Sequence, residues 1–312
     1  MTVSNPYEEW ALHLKASADP LRLLILRVLW QQSYGVLELS QLLDVQQSRL
    51  SHHLKILTQA GLLTARREGN SIFYQRFPAN EGWVRSLFQT VDQWPLPVDV
   101  EQRQREISEE RRHHAEAFFA RHVDDFKQQQ DLIAEYPQYA HQALALIEQT
   151  EFPTAHALEV GPGLGEFLQE LSQRFARVDA IDISTELLEA ARANTKNPNI
   201  RFYLGDLANW FATYRESPQL VVYNMVLHHI PDPAAEFDRV GKVLANGGYL
   251  LVTDLCRHEQ HWAHTNCGDH WLGFAAEDLI DWAAHAGLTL EQRSVTALRN
   301  GFQVQCLLWH KP

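Results

Sequence analysis

The chain is expected to fold as an α+β winged helix-turn-helix followed by an α/β Rossmann-like domain with a mainly parallel sheet. Three observations lead there. Residues 5–77 read as short amphipathic helices followed by two β-rich runs about a turn. From residue 156 onward, short apolar runs alternate with helical patterns, as in a parallel sheet covered on both faces. Between the first such run and its helix lies a glycine turn, Gly161, Gly163 and Gly165.

The elements follow in order. Residues 20–30 are apolar apart from Arg22 and Arg27 and predict a helix buried by its neighbours. Residues 37–43 predict a short helix and 47–60 a second, ended by Gly61. Residues 62–67 and 72–77, about the turn 68–71, predict a wing. Prolines 95 and 97 break the helical signal, and the charge-rich residues after 100 resume it. Strands are expected at 157–160, 177–181, 200–203, 220–223 and 249–253. The expected division is 1–95 for the winged helix-turn-helix domain, 96–150 for a helical linker with Ala117, Phe118, Phe119, Val123 and Phe126 as an apolar stripe, and 151–312 for the Rossmann-like domain.

Composition narrows the function classes. With 45% hydrophobic and 21% charged residues, the 312-residue chain can bury a core and is neither a disordered tail nor a membrane protein. The first ten residues lack the apolar core of an export signal, and no stretch approaches the roughly 20 apolar residues that span a bilayer. Three cysteines without a CxxC pair argue against a disulfide framework and for a reducing cytoplasm. The net charge of -12 disfavours nucleic acid as a whole-chain property, but its distribution does not. Residues 1–90 carry nine Lys and Arg against seven Asp and Glu, whereas 151–312 carry twelve against twenty, so only the first segment approaches DNA without repulsion.

In residues 39–55 two helices flank a tight turn. Leu50, Leu54 and Leu57 share one helical face, leaving Gln46, Gln47, Ser48, Arg49, Ser51, His52 and Lys55 to meet base edges and phosphates in a major groove. Arg66, Arg67 and Asn70 would let the wing touch the backbone or minor groove. Ala18 to Arg22, Gln47 to Leu54 and Ala60 to Leu62 resemble the ArsR/SmtB family of winged-helix repressors over about the first 90 residues. That resemblance implies a homodimer on palindromic double-stranded operator DNA, with residues 10–14 and 83–87 as its surface. Metal sensors of the family carry Cys-x-Cys where this chain has Val36 to Leu39, so their thiolate inducer site is not expected. Gln46 stands where a Ser or Thr cap is usual.

In the second domain, GxGxG at 161–165 lacks the third glycine of a dinucleotide fingerprint, and Glu159 and Glu166 would repel a diphosphate. Asp182, at the end of the second run, is placed to accept from both hydroxyls of a ribose, and Asp206 to accept from an adenine amino group. Glu159, the three glycines, Asp182 and Asp206, with 226–233, 243–248 and 271–274, resemble class I S-adenosylmethionine-dependent methyltransferases. The resemblance implies S-adenosylmethionine or S-adenosylhomocysteine as ligand. Glu159 then serves the methionine amino end, Ile183 and Leu207 flank the adenine, and Asn224 and Met225 close the pocket.

Whether the domain turns over stays open at this level. Methyl transfer is an in-line displacement in which positioning supplies much of the rate, so no triad is required. His228 and His229 are the candidate bases. No Asn-Pro-Pro-Tyr type motif follows the fourth run, which disfavours methylation of DNA bases. His258, His261, His264 and Cys267 recur every three residues, predicting one side of a helix that acts as a lid; with Asp254 and Asp269 they fit no standard metal signature, and no metal site is expected. Two functions follow. One is a regulator resembling S-adenosylhomocysteine-responsive repressors, acting on methionine and methyl-cycle genes. The other is a working small-molecule methyltransferase that regulates its own operon, with arsenite, held by Cys256, Cys267 and Cys306, as one variant acceptor.

Overall fold

A computed structural model describes residues 6–30, 32–68, 71–77, 82–122, 126–151 and 153–312. It divides into two compact units, Met1–Arg111 and Arg112–Pro312.

The first unit contains α1 (Pro6–Ser17), α2 (Pro20–Val28), β1 (Tyr34–Gly35), α3 (Val36–Leu43), α4 (Gln47–Gln59), β2 (Leu63–Glu68), β3 (Ser71–Arg76), α5 (Gly82–Asp92) and the first half of α6 (Val98–His122). Helix α2 starts sharply because Asp19 accepts from the Arg22 N–H and Pro20 sits at the first helical position. Between α3 and α4 the chain turns at Asp44 in the left-handed region (φ 52°), and the Val45 N–H returns to the Ser40 carbonyl. Leu39, Leu42, Leu50, Leu54 and Leu57 are fully buried together with Ile25 and Leu26, which fixes α4 against α2 and α3. The sheet order is β1-β3-β2, all antiparallel, with β2 and β3 paired from Leu63/Arg76 to Glu68/Ser71 as a wing. Arg76 ties the wing to the helices, its Nε donating to the Leu26 carbonyl at 2.6 Å and its Nη1 to Asp92 at 3.0 Å.

The second unit contains α7 (Phe126–Ile133), α8 (Tyr136–Glu148), β4 (His156–Val160), α9 (Glu166–Arg174), β5 (Arg177–Asp182), α10 (Thr185–Asn194), β6 (Ile200–Leu204), α11 (Leu207–Tyr214) and β7 (Leu220–Asn224). After a 3-10 turn at Leu227–His229 come α12 (Pro233–Val243), β8 (Tyr249–Leu255), α13 (Trp262–Asn266), α14 (Ala276–His285), β9 (Thr289–Ala297) and β10 (Gln303–His310). One seven-stranded sheet runs β6-β5-β4-β7-β8-β10-β9, parallel through β8, with β10 antiparallel to both β8 and β9. The strand order reverses between β4 and β7, and ligands of open α/β sheets bind at the carboxyl ends beside such a reversal. Among the described residues no helix is long and apolar enough to cross a membrane.

Three expectations change. Residues 96–150 are helical but form no separate spacer: Val100 and Ile107 belong to the first core, while Ala140, Ala143, Leu146 and Ile147 belong to the second. Val123 lies outside the described residues. The two last strands were not anticipated. The inward positions of β9 are Leu290, Gln292, Ser294 and Thr296, so its alternation is one of exposure and scarcely one of hydropathy. Finally, residues 258–267 are not one helix: α13 holds five residues, and the His258 N–H pairs with the Leu272 carbonyl at 3.1 Å in extended fashion.

Candidate functional site

In the first unit, Gln46, Gln47, Ser48, Arg49, Ser51, His52 and Lys55 are all exposed on α4 and its leading turn, opposite the buried leucine face. Gln46 occupies the N-cap position without a side-chain capping bond. Arg66 departs from expectation. Adjacent strand residues point to opposite faces, so Arg67 is exposed while Arg66 is buried at 8% exposure and cannot present its guanidinium alongside it. Asn70 lies outside the described residues. On α1 and α5, Trp10 stacks on Trp83 at 5.7 Å, and Trp10, Leu12 and Leu14 remain exposed.

In the second unit, short cross-links tie the carboxyl ends of the parallel strands to one another. The Gly161 N–H donates to the Ile181 carbonyl, Gly205 N–H to the Asp182 carbonyl and Met225 N–H to the Thr253 carbonyl, each at 2.8 Å. Two glycines are obligatory there. Gly161 has φ 66° and a Cβ on it would stand 2.3 Å from Val226 Cγ2; Gly165 caps α9 at φ 82° and a Cβ would stand 3.1 Å from the Ala191 carbonyl oxygen. Gly163 shares the left-handed conformation at φ 54°. Gly161→Ala is therefore expected to lower stability by about 2–5 kcal/mol from backbone strain plus overpacking. An unchanged urea midpoint for the variant would show that Val226 yields freely.

Two buried carboxyl groups and one half-buried one stand at the strand ends beside this turn. Glu159 is 1% exposed, and its Oε2 has no hydrogen-bond partner. Burial pushes its carboxyl up to about 8, only partly offset by the Asn224 amide. The two polar atoms of that amide are likewise buried and make no other hydrogen bond. Asp182 is 7% exposed; its Oδ1 accepts from the Ser184 N–H at 2.9 Å, and burial pushes it up to about 7 against the pull of the Ser184 and Ile183 N–H groups. Asp206 is half-buried and caps α11, accepting from the Asn209 N–H at 2.8 Å, so one oxygen of the expected adenine contact already serves the helix. Ile183 is half-buried, and Leu207 is fully enclosed. Met225 is buried in the left-handed region (φ 51°), a strained geometry for this residue type that marks the end of β7.

A cofactor with a cationic amino group and vicinal hydroxyls fits this donor and acceptor set. Glu159 and Asn224 supply unsatisfied buried acceptors and a donor, Asp182 supplies a carboxylate with one oxygen to spare, and the glycines leave backbone uncovered. The sequence reading missed Tyr136, at the start of α8. Its hydroxyl is buried without a hydrogen-bond partner, and burial together with the Glu159 charge raises its pKa. No local pattern distinguishes it from Tyr139 beside it, which packs edge-on at 5.6 Å.

At the ends of β7 and β8 the two candidate bases separate in character. His228 is buried; its Nδ1 lies 2.8 Å from Asp254 Oδ1 and its Nε2 3.7 Å from Asp269 Oδ1. Burial opposes its charge, but Asp254 and Asp269 outweigh that and push it up to about 9, so at neutral pH it holds its proton and is no base. His229, pushed well down by burial and by its charged neighbour, is neutral; its Nδ1 lies 3.2 Å from the Gly268 carbonyl. His261 is exposed at the start of α13, and Cys267 is buried at its end; the side chain of His264 lies outside the description. Burial pushes Cys267 and Cys306 up to about 12, and Cys306 is enclosed in β10 against Thr253, so neither is a ready thiolate for arsenite.

The methyltransferase domain model matches residues 106–293, and the bacterial regulatory protein, arsR family model matches residues 19–65. Trans-aconitate 2-methyltransferase of Methylobacterium radiotolerans is 38% identical over 98 residues, 31% of this chain and 36% of that protein. Malonyl-[acyl-carrier protein] O-methyltransferase of Hahella chejuensis is 28% identical over 177 residues, 54% of this chain and 63% of that protein. The chain spans 36% to 46% of the first curated relatives it matches. A SAM-dependent methyltransferase from Anabaena variabilis superposes with a TM-score of 0.51 at 16% identity, over 64% of this chain and 95% of that one, a likeness of fold alone.

Proposed function

Because this chain belongs to the methyltransferase-domain family and carries an arsR-family helix-turn-helix, we propose that it is a transcriptional regulator whose operator affinity is set by an S-adenosyl nucleoside. The observation that carries the reading is the pair of buried carboxyl groups, Glu159 and Asp182, flanking the GxGxG turn, neither of them held down by a neighbouring cation among the described residues. Glu159 and Asn224 take the amino-acid end of S-adenosylmethionine or S-adenosylhomocysteine, Asp182 its ribose, and Ile183, Asp206 and Leu207 its adenine. Residues Gln46 to Lys55 supply the major-groove face and Arg67 a wing contact. The exposed apolar residues of α1 with the Trp10/Trp83 stack form a dimer surface, matching a palindromic operator. A reader of DNA fused to a nucleoside pocket responds to the methylation state of the cytoplasm, and genes of methionine and methyl-group metabolism are the natural targets.

Binding of the chain to fluorescent DNA from its own promoter, with and without each nucleoside at saturation, tests this. A coupling of 1–3 kcal/mol predicts about a 5- to 150-fold change in operator affinity with at least one of them. Equal affinity under all three conditions overturns the regulatory reading.

A second reading, turnover of a small-molecule acceptor, is favoured by one observation: a neutral histidine, His229, stands at the carboxyl end of the sheet where an acceptor would enter. Transfer of labelled methyl from S-adenosylmethionine into small molecules of a cell extract supports it. Absence of any labelled product with active control enzymes beside it rejects it.

A further inference from the structure

Glu159 at the end of β4 and Asn224 at the end of β7 interact with each other. Beyond that contact, Glu159 Oε2, both polar atoms of the Asn224 amide and the hydroxyl of Tyr136 are buried without a hydrogen-bond partner. Orphaned atoms of this kind are rare in protein interiors and mark places built to receive a partner. Tyr136 belongs with the other two by its packing. Its side chain touches two cores at once, the one that holds Ala157 of β4 and Phe167 of α9 and the one that holds Met225 after β7. It therefore stands at the reversal between β4 and β7, near enough for the Glu159 charge to act on its hydroxyl. The residue as a whole is half-buried, and the hydroxyl is its enclosed end.

We propose that the Tyr136 hydroxyl donates to the carboxylate of the ligand's amino-acid end, and so distinguishes a full α-amino acid tail from a decarboxylated one. The proposal rests on the nucleoside reading above and adds to it a contact from α8, a helix that precedes the strands carrying every other residue of that site. The chemistry of the tail requires such a group. Its ammonium only donates and its carboxylate only accepts, so an ionised Glu159 serves the first and has nothing to offer the second. Tyr136 supplies an O–H. Burial and the Glu159 charge both raise its pKa, so it keeps that proton across the neutral range and remains a donor. Its position is set in advance by the antiparallel end of the sheet. Asn300, in the turn between β9 and β10, donates to the Leu132 and Ile133 carbonyls at 3.0 and 2.8 Å. The Gln138 side chain accepts from the Glu135 N–H at 2.9 Å, which starts α8 at Tyr136, and the Ser294 hydroxyl of β9 donates to Gln142 at 2.9 Å. A donor held in this way costs the ligand little ordering entropy when it binds.

Isothermal titration of the full-length native chain and of Tyr136→Phe with S-adenosylmethionine and with decarboxylated S-adenosylmethionine tests this, because the two compounds differ only in the carboxylate. Circular dichroism certifies the fold of the variant. Loss of one hydrogen bond to a charged group predicts about 10- to 100-fold weaker binding of S-adenosylmethionine to Tyr136→Phe. The decarboxylated compound should bind the two chains alike, or neither of them. Equal affinity of S-adenosylmethionine for native and Tyr136→Phe chains overturns the proposal and leaves the nucleoside reading standing. An equal loss for both compounds also overturns it, since that is the mark of a contact to the amino group or of disturbed packing. A native chain that binds neither compound removes the nucleoside reading itself, and this inference with it.

Discussion

Asp182→Ala is expected to weaken S-adenosylhomocysteine binding at least about a hundredfold, because two hydrogen bonds to a charged acceptor are worth about 1.5–3 kcal/mol each. The side chain is buried at the end of β5, and one of its oxygens is already held by the Ser184 N–H, which presents the carboxylate in a fixed orientation before any ligand arrives. Pre-orientation of this kind spares the ligand the entropy of ordering its partner. Asp182→Asn separates the contributions. The amide oxygen still accepts from Ser184, so α10 keeps its start, while the second ribose contact loses its charged acceptor; a loss of about 10- to 100-fold follows from one such bond. Isothermal titration gives both affinities, and operator binding without nucleoside should be the same in both variants as in the native chain. Native affinity in Asp182→Ala would remove the ribose from this position.

Nucleoside affinity should also fall steeply with acid. Burial holds Asp182 up at about 7 and Glu159 up at about 8, yet the ligand's hydroxyls and ammonium are complementary to the ionised forms. At pH 8.5 both groups are mostly charged, and at pH 6 both are mostly protonated, so binding at pH 6 must expel protons. Each unit below the pKa of a group that must ionise lowers affinity about tenfold, and a total loss of at least about tenfold between pH 8.5 and 6 is expected. The sign for stability is opposite. A carboxyl whose folded pKa lies above its unfolded value stabilises the fold below the unfolded value, here 3.8 for Asp182 and 4.5 for Glu159, and that contribution is lost as pH rises through the folded value. The ligand-free domain therefore loses these contributions between about pH 4 and 8, and ligand restores more at pH 8 than at pH 6. Thermal shifts with saturating nucleoside at the two pH values read this directly; equal shifts would mean that neither carboxyl ionises on binding.

Local periodicity made much of the molecule readable in advance. Leu50, Leu54 and Leu57 lie at helical spacing, and that spacing alone forces Arg49, His52 and Lys55 outward, as observed. Gly161, Gly163 and Gly165 follow an apolar run and precede an amphipathic one, so their left-handed backbone is a consequence of local geometry. The five parallel strands are short apolar runs between turn residues and are recognisable without any partner. What local pattern could not supply is convergence. Arg66 and Arg67 are chemically alike, and only pairing with β3 decides which of them turns inward. Strand β9 carries Gln292, Ser294 and Thr296 on its inner face and exists because β10 offers it an edge. His228 and His229 were recognisable as chemistry-bearing residues, but Asp254 and Asp269 reach them from a strand end and a loop far along the chain. That arrangement, and with it the charge on His228 and the neutrality of His229, follows from burial and from charges brought together by the fold, which spacing along a sequence does not encode.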